Sequence, residues 1–306
     1  MYPFIKKYFV TYLLNQNQLY ILIRSNLINY ISMSKILSFA SWNVEHFNGD
    51  SSRVDRVVDL LKEVNPDLFA IYEVKGKTVF SQLMNKMSTH SFFITEKTDE
   101  SNMEILVGYR KTISTFITQR DEFKSKVPTL RPGTLATVNK GGENYAFLFL
   151  HLKSFPDPRS WGLRDDMYKH VASLKKTLDK LPDSDPTAKF VVLGDFNTMG
   201  LNAPFNPISD INADQEIEFL ENRFKRAKLR ILKKTHPLSW WNGKDNYAPG
   251  SKLDHVFADK NLKFKKFDNN SEIKVIGWPE KDTKTKKLNW INKFSDHALL
   301  YGEIHS

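Results

Sequence analysis

The sequence predicts an α/β (α+β) domain of two packed mixed β-sheets flanked by helices. Short apolar runs alternate with longer segments of helical spacing, which is typical of strands joined by crossover helices. Other strand-like segments follow one another closely around Gly141-Gly142, which favours antiparallel hairpins. The chain has 306 residues, 41% of them hydrophobic, and can therefore bury a large core.

The first elements establish the alternating pattern. Residues 36–43 alternate loosely between apolar and polar side chains, as a strand does. Residues 52–64 place apolar side chains at helical spacing, and the Pro-containing segment 65–67 ends that helix. Residues 68–73 are mostly apolar and predict the next strand, which finishes in an acid.

The middle of the chain is expected to form antiparallel strands, because its apolar segments are separated by only short polar stretches. Gly141-Gly142 is the expected turn between the last two of them. The predicted strands cover 104–110, 113–118, 134–138 and 145–151.

The second half returns to mixed elements. Residues 163–181 read as a long amphipathic helix that Pro182 stops. The apolar run 190–193 predicts a buried strand, and Gly194 would let the backbone turn sharply as it leaves the sheet. The remaining elements are a helix at 214–226 and strands at 229–232, 253–258, 263–267, 272–276 and 298–304.

Composition limits the chemistry. The chain contains no cysteine, which excludes disulfides, thiolate nucleophiles and cysteine-bound metals, so any metal must be held by oxygen and imidazole. The formal net charge of +10 favours a polyanionic partner such as nucleic acid or an anionic membrane surface. Only three basic residues precede Lys35, so the basic bias belongs to the main domain.

Residues 1–34 differ from the rest and contain no acid, and we expect them to be a dispensable extension to a catalytic domain at 35–306. A signal peptide is disfavoured because 15–18 is a run of Asn and Gln and no small-residue cleavage site follows. A membrane span is disfavoured because Arg24 and two asparagines interrupt the second apolar run. We therefore expect a cytoplasmic rather than a secreted protein, without stable membrane insertion.

Acids, amides and histidines recur where apolar strands end or begin. Such side chains converge when strand ends form the floor of a cleft, as site residues of α/β folds commonly do. Taken singly, each has an ordinary structural role as a cap, a solvated charge or a hydrogen-bonded core histidine. The coincidence of all of them favours a site, with the set Asn43, Glu45, Glu73, His151, Lys153, Asp195, Asn197, Asp254, Asp296 and His297.

The residue types predict a reaction class. Carboxylate and amide oxygens without thiolates suit Mg²⁺ or Mn²⁺, hard ions that keep water and bind phosphate oxygens. A histidine with an acid partner is a ready general base. Together they describe metal-assisted attack of water on a phosphoester.

The order Trp-Asn-Val, Glu73, His-Leu-Lys-Ser, Gly-Asp-Phe-Asn, Leu-Asp-His-Val-Phe and Ser-Asp-His resembles the endonuclease/exonuclease/phosphatase superfamily, across roughly 35–304. The resemblance implies a four-layer α/β sandwich. It also implies that Glu73 is the principal metal carboxylate, with Asn43 beside it, Glu45 as a further ligand and Asp296 as a metal or supporting acid.

The same resemblance assigns the reaction groups. His297 corresponds to the general base, oriented by Asp254, and His151 to a histidine that contacts the phosphate and assists the leaving group. Asp195 and Asn197 would bind the phosphate, the water or a second metal. The expected phosphate-neutralising cations are Arg131, Lys153 and Arg164.

Three positions depart from the family pattern. Tyr72 stands beside Glu73 where many relatives have glutamine, and His151 stands where apurinic endonucleases have tyrosine, which disfavours that branch. Glu45 replaces an aspartate of some relatives.

Three loops bear on the substrate, because each interleaves basic and aromatic residues that could pair with phosphates and stack on bases: 155–166, 237–252 and 278–294. An ordinary solvated loop with packing aromatics explains them equally well. We expect a nuclease acting on DNA, with RNA as another substrate. The alternatives are a phosphatase, a lipid phosphodiesterase of the inositol phosphate or sphingomyelinase type, and a catalytically inactive nucleic-acid-binding protein.

Overall fold

The computed structural model describes residues 34–96, 103–181 and 186–306, which form two mixed β-sheets and five helices. The helices are α1 Ser51–Val64, α2 Gly76–Lys86, α3 Pro158–Leu178, α4 Ala213–Lys225 and α5 Lys284–Lys293. The strands are β1 Lys35–Phe47, β2 Leu68–Lys75, β3 His90–Ile94, β4 Met103–Arg110, β5 Ser114–Arg120, β6 Gly133–Lys140, β7 Glu143–His151, β8 Lys189–Asp195, β9 Leu229–Ile231, β10 Asp254–Asp259, β11 Lys263–Phe264, β12 Ile273–Ile276 and β13 Leu299–His305.

Sheet A has the strand order β11-β13-β1-β2-β4-β3, with β12 also paired to β13, and sheet B has the order β5-β6-β7-β8-β10-β9. Three apolar clusters separate the layers. One, which includes Phe39 and Phe147, lies between the sheets, and the other two seat helices on the outer faces, as around Leu83 of α2 and Phe224 of α4. Four layers result, and the predicted two-sheet sandwich is confirmed.

Most predicted elements occur within a few residues of their expected bounds, and Gly141-Gly142 makes the turn of the β6–β7 hairpin with positive φ at both glycines. Three further elements, α2, β3 and α5, were not predicted from the sequence. The strand expected at 263–267 is reduced to the two residues of β11.

Gly194 does not turn the chain out of the sheet, because β8 continues through it to Asp195. It pairs with Leu150 on one side and His255 on the other. Its φ is +146°, and a Cβ there would lie 1.9 Å from the Leu150 carbonyl oxygen. The glycine is therefore required for close approach of two backbones.

The predicted extension at 1–34 lies outside the described residues, except for Ser34, whose backbone N–H donates to the Ser306 hydroxyl at 3.2 Å. Within the described part of the chain, no helix combines the length and the apolar character that a membrane span requires.

The topology brings the candidate residues to one edge of both sheets. β1 and β2 are parallel, as are β7 and β8, so their carboxyl ends point the same way. β10 is antiparallel to β8 and β13 is antiparallel to β1, so these two strands begin where the others end. Four strand ends and two strand starts therefore meet at this edge.

Candidate active site

Glu73 occupies an irregular position near the end of β2. The pairing register shifts between Asn43 and Phe47 on one side of β2 and between Ile71 and Val74 on the other. Glu73 adopts a left-handed conformation with φ of +62°. For a residue with a Cβ, this backbone costs on the order of 1 kcal/mol and is commonest at functional positions. The bulge directs its carboxylate to the sheet edge.

Asn43 connects the two sheets at this edge. Its amide nitrogen donates to Glu73 Oε1 at 3.2 Å and to Asp195 Oδ2 at 3.0 Å. Its amide oxygen accepts from the backbone N–H of Glu45 at 3.0 Å. In this arrangement the amide holds two carboxylates together, and its oxygen is engaged away from them.

Glu73 is the more acidic of these two carboxylates. Burial alone would raise its pKa, but the charge of His151 and hydrogen bonds from the His46 N–H and Asn43 lower the pKa to about 2. Glu73 is therefore ionised at neutral pH, as a metal carboxylate must be.

His297 and Asp254 form a buried pair. His297 Nδ1 lies 2.8 Å from Asp254 Oδ2, which leaves Nε2 facing Asp195 Oδ2 at 3.8 Å. Burial disfavours a charged imidazole, but the carboxylates of Asp254 and Asp195 outweigh it and raise the pKa of His297 well above its usual range. Nε2 is therefore the atom at which this histidine exchanges a proton.

The backbone around His297 is held firmly. Ser295 Oγ donates to the Asn43 carbonyl at 2.7 Å and accepts from the His297 N–H at 3.0 Å. Trp42 Nε1 donates to the His297 carbonyl at 3.0 Å. These bonds join the start of β13 to the end of β1, so His297 and Asn43 have a fixed relation.

Asp195 is the central acid of the site. Its side chain also accepts from the Asn197 N–H at 3.0 Å. Burial raises the pKa of Asp195 to about 7; the charge of His297 acts in the opposite direction and that of Asp254 in the same direction. Since the pKa values of both His297 and Asp195 rise, the cluster retains a proton that the two groups can share.

His151 lies between the carboxylates of Glu73 and Asp195, with Nε2 at 3.7 Å and 3.5 Å from them. The ring packs edge-on against Tyr72, and Nδ1 is buried without a hydrogen-bond partner in the described residues. Burial and the nearby positive charge of Arg131 lower the pKa of His151 well below its usual range. The imidazole is therefore neutral near pH 7 and acts as a hydrogen-bonding group rather than as a cation.

Three carboxylates at this edge, from Glu45, Glu73 and Asp296, are near enough for the other two to raise the pKa of Glu45. Burial raises the pKa of Glu45, and the charges of Asp296 and Glu73 raise it further against the opposing effect of Arg53. Trp240 Nε1 donates to Asp296 Oδ2 at 2.7 Å, while the buried Asp296 Oδ1 lacks a hydrogen-bond partner among the described residues.

A divalent cation would offset the like charges of this acid group, although its three carboxylates do not converge within 4.8 Å of one another. Mutual repulsion and an unpartnered carboxylate oxygen are both relieved by a hard cation with oxygen ligands. Asp195, Asp254 and His297 also offer ligand atoms within 4.8 Å of one another. The 2.8 Å contact between Asp254 and His297 is a hydrogen bond, so this second group is also suited to proton transfer.

Two of the three expected phosphate-binding cations lie beside the site. Arg131 acts electrostatically on both His151 and Lys153. The Lys153 ammonium group lies 4.8 Å from the ring centroid of Phe155, whose side chain is 60% exposed. Asn197 adopts a positive φ of +49° and donates its amide to the Leu152 carbonyl at 3.1 Å.

The structure does not place Arg164 among the phosphate-binding groups. Its side chain is fully buried, and it donates to both carboxylate oxygens of Glu216 at 2.7 and 3.0 Å. It also donates to the carbonyls of Lys153 and Phe155. The sequence could not reveal this, because Glu216 lies 52 residues away on α4.

The expected aromatic stacking groups divide into two sets. Trp241 and Trp278 are buried and belong to the packing of the fold. Trp240 and the 49% exposed Tyr247 contact each other at 5.6 Å, next to Asp296, and Phe155 lies exposed on the His151 side. Exposed aromatic rings thus flank the site on two sides.

Sequence reasoning missed the residues that position the site. Arg53 Nη2 donates to the carbonyls of Val44 and Phe294 at 2.7 and 2.8 Å, tying the two acid-bearing segments together. Tyr72 hydroxyl donates to the Leu193 carbonyl at 3.3 Å and lies 3.0 Å from Ser41 Oγ. Tyr72 was noted only as a departure from glutamine, and nothing in its local sequence signals that it links the sheets.

Comparison with solved structures gives the same fold. Truncated TDP2 of Caenorhabditis elegans matches with a TM-score of 0.60 at 16% identity, over 88% of this chain and 98% of that one. TDP2 of D. rerio, solved with a single-strand DNA product, matches with a TM-score of 0.59 at 16% identity, over 89% and 100%. The mannosyl-6-phosphatase Bt3783 of Bacteroides thetaiotaomicron matches with a TM-score of 0.55 at 15% identity, over 88% and 99%.

No curated protein sequence gives a significant match. The sequence model of the Endonuclease/Exonuclease/phosphatase family, in contrast, matches residues 40–297, which include every predicted site residue. The chain therefore belongs to the endonuclease/exonuclease/phosphatase family, whose enzymes are divalent-metal-dependent phosphoesterases.

Proposed function

We propose that this protein is a nuclease that hydrolyses phosphodiester bonds of DNA. The observation that carries the proposal is the meeting, at one sheet edge, of the His297–Asp254 pair with Asp195, Glu73 and their bridging Asn43. Such an edge offers a proton acceptor, an anionic metal-binding group and a place for one phosphate between them.

The choice of DNA rests on three supports. The chain carries a formal charge of +10, and Arg131 and Lys153 add positive charge beside His151. Exposed rings of Phe155 and Tyr247 border the site and could stack on bases. A protein of the same fold, D. rerio TDP2, has been solved with a single-strand DNA product. RNA would satisfy the same contacts.

The residues divide the reaction between them. Arg131 and Lys153 attract and orient the phosphate oxygens. When Asp195 holds the proton that it shares with His297, Nε2 is free and takes the proton of the attacking water as the water oxygen bonds to phosphorus and the ester P–O bond breaks, while Asp254 holds Nδ1. His151 donates a hydrogen bond towards the departing oxygen, and the protonated Asp195 aligns the water.

Glu73, Glu45 and Asp296 would hold Mg²⁺ or Mn²⁺, with Asn43 supporting Glu73 in place. When bound, the ion supplies charge neutralisation for the phosphate oxygens in the transition state. Asn43 becomes a ligand in its own right only if its amide turns, because its oxygen accepts from the Glu45 N–H.

The direct test is incubation with supercoiled plasmid, linear duplex and single strands, in Mg²⁺, in Mn²⁺ and in chelator. We expect cleavage with either metal, none in chelator, and a decrease of about 10²- to 10⁴-fold for His297→Ala. His170→Ala, which removes a histidine on α3 paired with Asp166, is the matched control and should retain activity.

Nicking that survives chelation, or that His297→Ala retains in full, would refute the mechanism. The same enzyme should be offered a sugar phosphate, an inositol phosphate and sphingomyelin, since Bt3783 shows that this fold also occurs in a mannosyl-6-phosphatase. Turnover of one of these, without cleavage of any nucleic acid, would replace DNA as the substrate while leaving the catalytic assignments in place.

A further inference from the structure

A basic groove lies between the C-terminal half of α3 and the end of α4. It has a volume of about 400 Å³ and contains no acid among its lining residues. Four cations line it: Lys169, Lys176, Arg223 and Arg226. Lys169 and Arg223 are paired with Asp165, while Lys176 and Arg226 have no ion-pair partner among the described residues.

A second groove, of about 390 Å³, lies on the other side of the same chain segment. Its lining includes the cations Lys225, Lys228, Arg230 and Lys260 and the single acid Glu221, and Arg230 is paired with Glu272 at 2.6 Å. The two grooves adjoin the C-terminal end of α4, since Arg226 lines the first and the preceding residue, Lys225, lines the second. We call the two grooves together the α3–α4 basic surface.

Its cations are fixed to rigid backbone. The Lys228 N–H donates to the Lys225 carbonyl at 3.0 Å, and the Lys260 N–H donates to the Lys228 carbonyl at 3.0 Å. Lys228 has a positive φ of +59°. The turn after α4 and the turn after β10 are therefore held together, so charges from separate elements stand side by side.

Helix stability does not explain this charge. Lys176 and Lys225 stand at helix C-termini, where a cation is favourable. Arg226, Lys228 and Lys260 lie beyond the helices, and all five side chains are exposed and without an ion-pair partner in the described residues. Such concentrated and unneutralised charge of one sign attracts a polyanion.

The surface is separate from the active site. β10 has Asp254 at the site and ends at Asp259, immediately before Lys260. Six residue steps of about 3.4 Å place Lys260 about 20 Å from Asp254 along the strand. One strand of DNA covers that span with about six phosphates, at 3.4 Å each.

We infer that the α3–α4 basic surface is a second binding site for the phosphate backbone of a nucleic acid, which holds a long substrate at a distance from the cleaved bond. The inference deepens the proposed function, on which it rests for the class of the partner. Short substrates would reach only the active site, whereas longer ones would occupy both.

The test compares the unchanged protein with the variant Lys176→Gln/Arg226→Gln/Lys228→Gln/Lys260→Gln. Binding of a fluorescent 30-base-pair duplex is followed by anisotropy in chelator, which prevents cleavage, over a series of KCl concentrations. We expect weaker binding and a slope of log K against log[salt] that is shallower by about 0.9 for each lost phosphate contact, so by about 2 to 4.

A variant with the same charge change on other faces is the control: Lys62→Gln/Lys77→Gln/Lys111→Gln/Lys140→Gln, all at exposed positions. It should keep the original slope. Hydrolysis of bis(p-nitrophenyl) phosphate, which is too small to reach the surface, should be the same in all three proteins, which also verifies that they fold.

An unchanged slope in the first variant, or an equal loss in both variants, would overturn the inference. Loss of binding to phosphatidylserine vesicles with no change in DNA binding would assign the surface to a membrane and also overturn it. The two proposals fail separately: a protein that does not cleave DNA but shows the predicted slope change keeps this surface and loses the nuclease assignment.

Discussion

Two buried polar clusters of this molecule contrast sharply. Around Arg164, charges cancel and donors meet acceptors: Glu216 accepts from Arg164, from the Tyr168 hydroxyl at 3.0 Å and from the Gly200 N–H at 2.7 Å. At the sheet edge, like charges are crowded together, and Asp296 Oδ1 and His151 Nδ1 lack hydrogen-bond partners among the described residues.

The backbone of the two clusters also differs, because it is strained at the sheet edge and regular around Arg164. Glu45, Glu73 and Asn197 at the sheet edge all have positive φ, whereas Arg164, Tyr168 and Glu216 lie within regular helices. Burial of polar groups alone therefore does not identify a functional site. A functional site is indicated by buried polar atoms that lack hydrogen-bond partners and by strained backbone. Both are unfavourable in free energy, and they persist only where the rest of the fold compensates for them.

The largest expected effect separates activity from stability at the sheet edge. Asp254→Asn should lower phosphodiester hydrolysis by about 10²- to 10⁴-fold, because a neutral amide cannot stabilise a charged His297. The free energy of unfolding should hardly change, since the substitution also removes the repulsion between Asp254 and Asp195. Initial rates and urea denaturation measure the two quantities.

Asp166→Asn, on the exposed side of α3, is the control for this change and should affect neither quantity. Activity of Asp254→Asn within about threefold of the unchanged protein would mean that the site works without the pair.

The second prediction concerns Arg164, where we expect a loss of stability. Arg164→Met leaves the fully buried Glu216 uncompensated and should lower the free energy of unfolding by about 3 to 5 kcal/mol. Urea denaturation measures it, with the exposed Arg159→Met as control. A loss below about 1 kcal/mol would contradict the view that this cluster is structural.

The third prediction concerns Asp67, a carboxylate outside the site that accepts hydrogen bonds from Ser38. Burial would raise the pKa of Asp67, but hydrogen bonds from the Ser38 N–H and hydroxyl, and the charge of Lys35, hold it below its usual range. Asp67→Asn should lower the free energy of unfolding by about 1.5 to 3 kcal/mol at neutral pH.

The direction of the pKa shift of Asp67 determines how this difference in the free energy of unfolding depends on pH. A lowered pKa in the folded state means that the Asp67 contribution is present above the unfolded pKa of about 4 and is lost as the pH falls through the lower folded value. Denaturation of both proteins over this range should show the two stabilities converging in acid. A difference that grows as the pH falls would disprove the assignment.

The smallest expected effect is a gain in stability, from a substitution of Glu45. Because burial and the charges of Asp296 and Glu73 raise the pKa of Glu45, its ionised form weakens the metal-free fold. Glu45→Gln should therefore raise the free energy of unfolding in chelator by about 0.5 kcal/mol. It should also reduce the stabilisation that added Mn²⁺ gives. If Glu45→Gln lost stability in chelator, the acid group would not be repulsive and the metal-site assignment would fail.

The sequence allowed the fold and the location of the site to be predicted, because both depend on local pattern. Apolar runs mark strands, and a polar residue at a strand end must lie at a sheet edge, which is how Asn43, Glu73 and Asp195 were found. α2 was missed because its first turn contains Gly76 and it carries only two buried side chains, Val79 and Leu83. α5 was missed because it has no buried residue at all.

The roles of long polar side chains were not predictable, since their partners are remote in sequence. Arg164 looked like a phosphate ligand because it stands near a site segment, but its guanidinium points into the α3–α4 interface. Arg53 lies in the first turn of α1, and its acceptor Phe294 is 241 residues away. The local sequence pattern predicts the position of a residue in its strand or helix. The contacts of its side chain depend on how the layers pack together.

The hydrogen bond between Ser295 and Asn43 spans 252 positions of the chain and has a consequence for timing. Synthesis at roughly 5 to 20 residues per second delivers β1 long before β13. Until the last strand pairs with the first, Asn43 and Glu73 have no base opposite them. Under the proposed mechanism, nascent chains and fragments cut before His297 would therefore lack phosphoesterase activity until the domain is complete.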